Sequence, residues 1–159
     1  MDEDAAEPAT PEPVPKALRE LAMLVVKEGV GVGGLPQAQR ALALAFVWTG
    51  LPAGALSERE VNEALKSALA GAARFLDTDH VELRRWLVDS GWLCRDGFGR
   101  EYRRVDAAAL PAPSRGLAGQ LEKLDAAAFA DRARDRRDAE RSARRRAWAD
   151  RAGPPADAA

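Results

Sequence analysis

Cysteine and histidine each occur once in the 159 residues, as Cys94 and His80. One cysteine excludes an intramolecular disulfide, and one cysteine with one histidine falls short of a zinc ligand set. Nucleophilic catalysis needs a thiol or hydroxyl beside a positioned base. His80 stands near a helix start and Cys94 in a short strand beside Trp92, so packing in a half-buried position is the expected role of both. We therefore expect no enzyme activity, no metal site and no cofactor.

Long apolar stretches are also missing. The longest, Ala41–Trp48, is far shorter than the ~20 apolar residues that cross a bilayer. No apolar leader follows Met1, so we expect a cytoplasmic location.

The net charge of −1 conceals an uneven distribution. Residues 1–13 carry five acids and no base, residues 14–113 sum to +1, and residues 114–159 carry 11 bases against 8 acids. An acidic head and a basic tail are typical of interaction segments rather than of a catalytic surface. Proline, alanine and charge leave too little apolar surface to order the ends, so we expect disorder over residues 1–14 and 153–159.

Apolar periodicity predicts helices in the first half of the chain. The first runs over residues 16–28 with Gly29 as its stop, and the second, over residues 36–48, is apolar nearly all round and so central to the core. Between them, "GVGVGGLP" follows a helix rather than a strand, so we interpret it as a flexible connector and not as a phosphate loop.

Stronger signals for helix ends and strands follow further along the chain. Ser57 and Glu60 form a capping box at the start of a third helix, and Asp77 or Thr78 can cap a fourth that ends at Gly91. Strands over residues 92–95 and 100–105 form a hairpin around "DGFG", whose glycines allow the positive φ of hairpin turns. A last helix begins near residue 117.

This order predicts a mainly α fold. Residues 15–110 are expected to form a winged helix-turn-helix-like domain with a two-stranded hairpin as its wing, and residues 111–152 a C-terminal helix that is basic in its second half. A three-helix bundle with an incidental hairpin is the alternative.

Three stretches carry a resemblance: "LPQAQRALALAF", "LSEREVNEAL" and "DHVELRRWLVDSGWLCRDGFGREYRRV". From Leu35 to Val105 the chain resembles the prokaryotic family catalogued as domain of unknown function 2087. Its motifs map onto Asn62, Arg84, Arg85 and Tyr102. The family occurs alone and attached to helix-turn-helix regulators, which implies a regulatory or nucleic-acid-associated role and supplies no catalytic residues.

Arginine is the candidate nucleic-acid contact. In helix four, Arg85 has Glu82 and Asp89 within pairing range and Arg84 lies near the apolar arc, so this helix is predicted to read a groove poorly. The hairpin is the better candidate, because its arginines could clamp a nucleic-acid backbone while its tyrosine stacks on a base. The alternative is a structural hairpin whose tyrosine packs on the domain while its arginines face water. The candidate contacts of the hairpin are Arg95, Arg100, Tyr102, Arg103 and Arg104.

The C-terminal helix adds a basic stripe that ends near Trp148. Its candidate contacts are Arg137, Arg141, Arg144 and Arg145, with Glu140 and Arg144 placed to pair at i,i+4. A solvated helix held by its own ion pairs is the alternative.

Two functions are consistent with these patterns. The first is a non-enzymatic protein that binds DNA or RNA through the hairpin and the C-terminal helix and acts in transcription regulation. The second is a protein–protein interaction module or oligomerising adapter without nucleic-acid binding. An apolar seam at Leu117, Leu121 and Leu124 predicts a homodimer contact for that function.

Overall fold

The computed structural model describes residues 14–98 and 100–153. The predicted disordered ends therefore lie outside the described residues, apart from Val14 and Gly153. The described residues form six helices and a small sheet, which confirms the mainly helical prediction. In chain order the elements are α1 Lys16–Val25, α2 Gln37–Thr49, β1 Ala55–Ser57, α3 Glu58–Ala70, α4 His80–Asp89, β2 Leu93–Arg95, β3 Glu101–Arg104, α5 Ala112–Leu121 and α6 Ala126–Ala152.

Local sequence signals fix several helix ends. The Ser57 hydroxyl accepts from the Glu60 amide at 3.1 Å, and the Glu60 carboxylate accepts from the Ser57 amide at 2.7 Å, which confirms the capping box. Gly91, with φ +81°, follows α4 as predicted. The cap of α4 is Asp79, whose carboxylate accepts from the Glu82 amide at 2.8 Å, and not Asp77 or Thr78.

The sheet has three antiparallel strands in the order β1-β3-β2, so the two-stranded prediction is wrong by one strand. The extra strand, β1, precedes α3 and pairs Leu56 with Tyr102. Both side chains are buried, which gives so short a strand its stability. Pairing with β3 and burial of Leu56 therefore account for β1, which the sequence pattern does not predict.

The core is centred on α2, as its apolar composition predicts. Trp48 is fully buried and lies against Trp92, with ring centroids 5.6 Å apart. Its indole nitrogen donates to the Val105 carbonyl at 2.9 Å, so the polar end of this core residue is satisfied. This contact ties α2 to the end of the hairpin.

The glycine-rich connector is held in place rather than left free. Residues 32–34 form a 3₁₀ turn, and the Arg40 guanidinium donates to the carbonyls of Val32, Gly33 and Leu35 at 3.1, 3.0 and 2.9 Å. The same guanidinium lies 4.7 Å from the Trp86 ring centroid. These contacts correct the flexible-connector interpretation, because one arginine side chain donates to three backbone carbonyls of the connector.

The C-terminal segment forms two helices instead of one. The chain leaves helix geometry after α5, and the Asp125 carboxylate caps α6 by accepting from the Ala128 amide at 3.1 Å. Leu121 is fully buried, and Leu117 and Leu124 pack half-buried against the same core. These leucines therefore pack within one chain, and the homodimer contact stays a prediction.

Only the start of α6 is docked. Ala130 and Ala133 are buried, whereas every residue over 135–153 is exposed. None of the helices in residues 14–98 and 100–153 combines the length and apolar composition needed to cross a bilayer.

Candidate nucleic-acid interface

The hairpin of β2 and β3 presents exposed arginines. Arg95, Arg100 and Arg103 are all solvent-exposed. The Arg103 guanidinium lies 3.4 Å from the Glu101 carboxylate, and both side chains are more than half exposed, so this ion pair is weak and leaves donors free. At the turn, Phe98 is 84% exposed and does not fold back onto the core. The hairpin tip is therefore a surface with both cationic and aromatic groups.

Tyr102 and Arg104, two of the predicted contacts, have structural partners instead. Tyr102 is 3% exposed, because its face of β3 packs inward, so its ring is closed to a stacking base. The Arg104 guanidinium lies 4.0 Å from the Trp48 ring centroid and donates to the Leu51 carbonyl at 3.1 Å. The alternation of β3 separates these inward side chains from the outward Arg103.

Arg84 joins three elements of the domain. Its Nη1 donates to the Asn62 side-chain oxygen at 2.6 Å and to the Glu58 carboxylate at 3.0 Å, and its guanidinium lies 5.6 Å from the Tyr102 ring centroid. The side chain is only 16% exposed. We call Arg84, Asn62, Glu58 and Tyr102 the Arg84 cluster. Three of the motif positions named above meet here, in a contact that stabilises the domain; Arg84 and Tyr102 also line the groove between α4 and the sheet.

Arg85 behaves differently from its prediction. It is exposed, and among the described residues it forms no ion pair with Glu82 or Asp89. The Glu82 carboxylate instead accepts from the Thr78 hydroxyl at 3.0 Å. Arg85 and Arg95 face a shallow groove of about 280 Å³ between α4 and the sheet, with Asp89 also at its wall. Sequence reasoning missed Arg85 because it assumed that spacing alone makes an ion pair.

The basic stripe of α6 is exposed along its length, at Arg137, Arg141, Arg144 and Arg145. The predicted Glu140–Arg144 pair does not form within the part of the chain that the structure describes. Trp148, near the end of the stripe, is 73% exposed. These side chains are available to a ligand.

Helical spacing also predicts Arg134 as the first member of the stripe, but Arg134 is half-buried. Its Nη2 donates to the Ala72 carbonyl at 3.0 Å, which anchors α6 to the turn after α3. Burial lowers the pKa of Arg134, the neighbouring positive charge of Arg74 lowers it further, and Asp131 opposes both. Two cations are thus held close together beside α6.

His80 and Cys94, the two residues considered for chemistry, both lie outside the groove at Arg85. His80 is the half-buried first residue of α4, as its helix-start interpretation predicts. Cys94 is exposed on β2, which corrects the half-buried expectation, because its side chain points to the outer face of the sheet with Arg103. Neither lies at the groove beside Arg85.

Exposed guanidinium groups bind phosphate oxygens through charge-assisted hydrogen bonds. Residues 36–104 match the family described as "Uncharacterized protein conserved in bacteria (DUF2087)", which confirms the resemblance over this stretch. No curated protein and no solved structure matches the chain.

Proposed function

We propose that this protein, whose residues 36–104 match the DUF2087 family, is a non-enzymatic winged-helix-like protein that binds DNA or RNA. The contacts are made to phosphates by the β2–β3 hairpin and by α6. Transcription regulation is the role that we infer for such binding.

The topology supports a winged helix. The order α2-β1-α3-α4-β2-β3 places one short strand between the first two helices and a hairpin after the third. β1 pairs with β3 and closes the sheet against α3 and α4, the arrangement in which a helix-turn-helix pair is flanked by a wing. In this assignment α4 is the recognition helix.

The observation that carries the proposal is the exposed cationic hairpin. Arg95, Arg100 and Arg103 leave donors free, and Phe98 stands at the tip, where it can stack on a base. Arg85 adds a fourth free guanidinium on α4, next to Arg95. Phosphates bound here would lie between the recognition helix and the wing.

Salt-dependent binding tests the proposal. The full chain is titrated against a labelled duplex and a labelled single strand by fluorescence anisotropy, over about 50–200 mM salt. The slope of log K against log salt is negative for a protein that binds phosphates. Exchanging Arg95 and Arg103 for glutamine should make this slope shallower by about 2, because two fewer phosphate contacts mean that fewer counterions are released on binding.

Arg59→Gln, which removes an exposed arginine from α3, is the control and should leave the slope nearly unchanged. Absence of affinity for both oligonucleotides at the lowest salt refutes nucleic-acid binding. A hairpin variant that binds with the native slope refutes the assignment to the wing.

The second candidate function is a protein–protein interaction module. The exposed Trp148 on α6 favours it, since tryptophan is enriched among the residues that dominate protein interfaces. The same titration separates the two functions, because a module of this kind would show no oligonucleotide affinity even at low salt.

A further inference from the structure

A second cationic surface lies between the end of α1 and the middle of α6. It is an open cleft of about 910 Å³, and we call it the α1–α6 cleft. Five cationic and two acidic side chains line it, an excess of three positive charges: Lys27, Arg74, Arg134, Arg137 and Arg141 against Glu28 and Asp138. It shares no lining residue with the groove at Arg85.

The cations of the cleft lack acidic partners. The ion pairs in residues 14–98 and 100–153 join Lys16 to Glu20, Arg84 to Glu58 and Arg103 to Glu101, so none of them lies in the cleft. Apart from the Arg134 Nη2, which donates to the Ala72 carbonyl, their guanidinium and ammonium donors are left to water or to a ligand.

The fold itself holds these charges together. Packing of α6 on α1 and the hydrogen bond from Arg134 to the Ala72 carbonyl bring the Arg134 side chain close to Arg74. The positive charges of Arg74 and Arg134 repel each other, and the negative charge of Asp131 compensates this repulsion only in part. An anion bound between them would relieve that repulsion.

We propose that the α1–α6 cleft binds the phosphate groups of a polyanionic ligand. Guanidinium forks match phosphate oxygens in geometry, and an excess of three charges suits a multiply charged anion better than a single carboxylate. The phosphates come either from a nucleic-acid backbone or from a free polyphosphate. For the nucleic-acid source the inference rests on the proposed function, since a strand bound there would continue onto the stripe of α6.

Titration of the full chain with inorganic tripolyphosphate at low salt, by calorimetry, tests the cleft without nucleic acid. The variant exchanges Lys27 and Arg74 for glutamine, two exposed residues outside the hairpin and the α6 stripe. Binding should weaken by at least about tenfold, because a lost charge-assisted hydrogen bond costs that much or more. The control exchanges Arg59 and Lys66 on α3, which removes the same charge elsewhere and should keep native affinity.

The outcomes separate the cleft from the wing. If native protein does not bind tripolyphosphate, or both double variants bind it equally, the cleft proposal is wrong even where oligonucleotide binding persists. Loss of tripolyphosphate binding in the cleft variant supports the proposal. A parallel loss of oligonucleotide affinity then identifies the backbone as the source, and unchanged oligonucleotide affinity identifies a free polyphosphate.

A chain lacking residues 1–13 controls for the five acids of that segment. If tripolyphosphate binds only to the shortened chain, the acidic segment is itself the occupant, and the proposal is overturned. Equal binding by both chains supports a phosphate ligand. Thermal melts of every variant confirm that the exchanged residues leave the fold intact.

Discussion

Replacing Arg84 by methionine tests whether the Arg84 cluster holds the domain together. Methionine keeps most of the apolar stem but removes the guanidinium, which donates to Asn62 at 2.6 Å and to Glu58 at 3.0 Å. The bond to Asn62 is part-buried and charge-assisted, and its loss costs about 1.5–3 kcal/mol. Glu58 is 53% exposed, so its ion pair adds at most about 1 kcal/mol.

The contact of Arg84 with the Tyr102 ring, at 5.6 Å, contributes about 0.5–1 kcal/mol more. We therefore expect Arg84→Met to lower the free energy of unfolding by about 2–4 kcal/mol, on the scale of the losses above. For a chain of this size, that corresponds to a fall in Tm of about 5–10 °C.

Urea denaturation of the full chain, followed by tryptophan fluorescence, measures this loss. Arg85→Met is the matched control. The neighbouring Arg85 side chain is exposed, so its exchange should alter the free energy of unfolding by no more than about 0.5 kcal/mol. Combining Arg84→Met with Asn62→Ala should recover a coupling of about 1 kcal/mol or more. Equal stability of the Arg84 and Arg85 variants would refute the reasoning.

Two further predictions concern local stability. Arg40→Met removes three hydrogen bonds, to the carbonyls of Val32, Gly33 and Leu35, and should lower the free energy of unfolding by about 2–4 kcal/mol. Amide exchange at Gly34 and Leu35 should become faster, and unchanged exchange would contradict the role of Arg40. Ser57→Ala removes the cap of α3 and should lower the free energy of unfolding, measured by urea denaturation, by about 1 kcal/mol. Ser67→Ala, an exposed position in the same helix, should not destabilise the protein, and equal effects of the two variants would contradict the capping argument.

Sequence signals predicted best where they act locally. The capping box at Ser57, the glycine stop at Gly91 and the burial of α2 depend on residues a few positions apart, and the structure has all three. The position of Arg84 near the apolar arc was also predictable from helical spacing, although its partner Asn62, 22 residues away, was not. Local chemistry fixes where elements start and stop but not which elements meet.

The features that sequence reasoning missed depend on long-range contacts. β1 has three residues and no periodicity of its own, and it exists because β3 pairs with it. Arg104 shares an alternation pattern with surface arginines, yet it stacks on Trp48, 56 positions earlier in the chain. Of the candidate site, the sequence predicted the exposed Arg95, Arg100 and Arg103, and missed that Arg85 is available on α4.

The long exposed part of α6 has a consequence for how the chain melts. Residues 135–153 have no buried side chain, so their helicity depends on the intrinsic preference of alanine and arginine and not on tertiary packing. Like charges along the stripe oppose that helicity. An anion that neutralises them would remove this repulsion, so ligand binding is expected to raise the temperature at which this part of α6 unfolds.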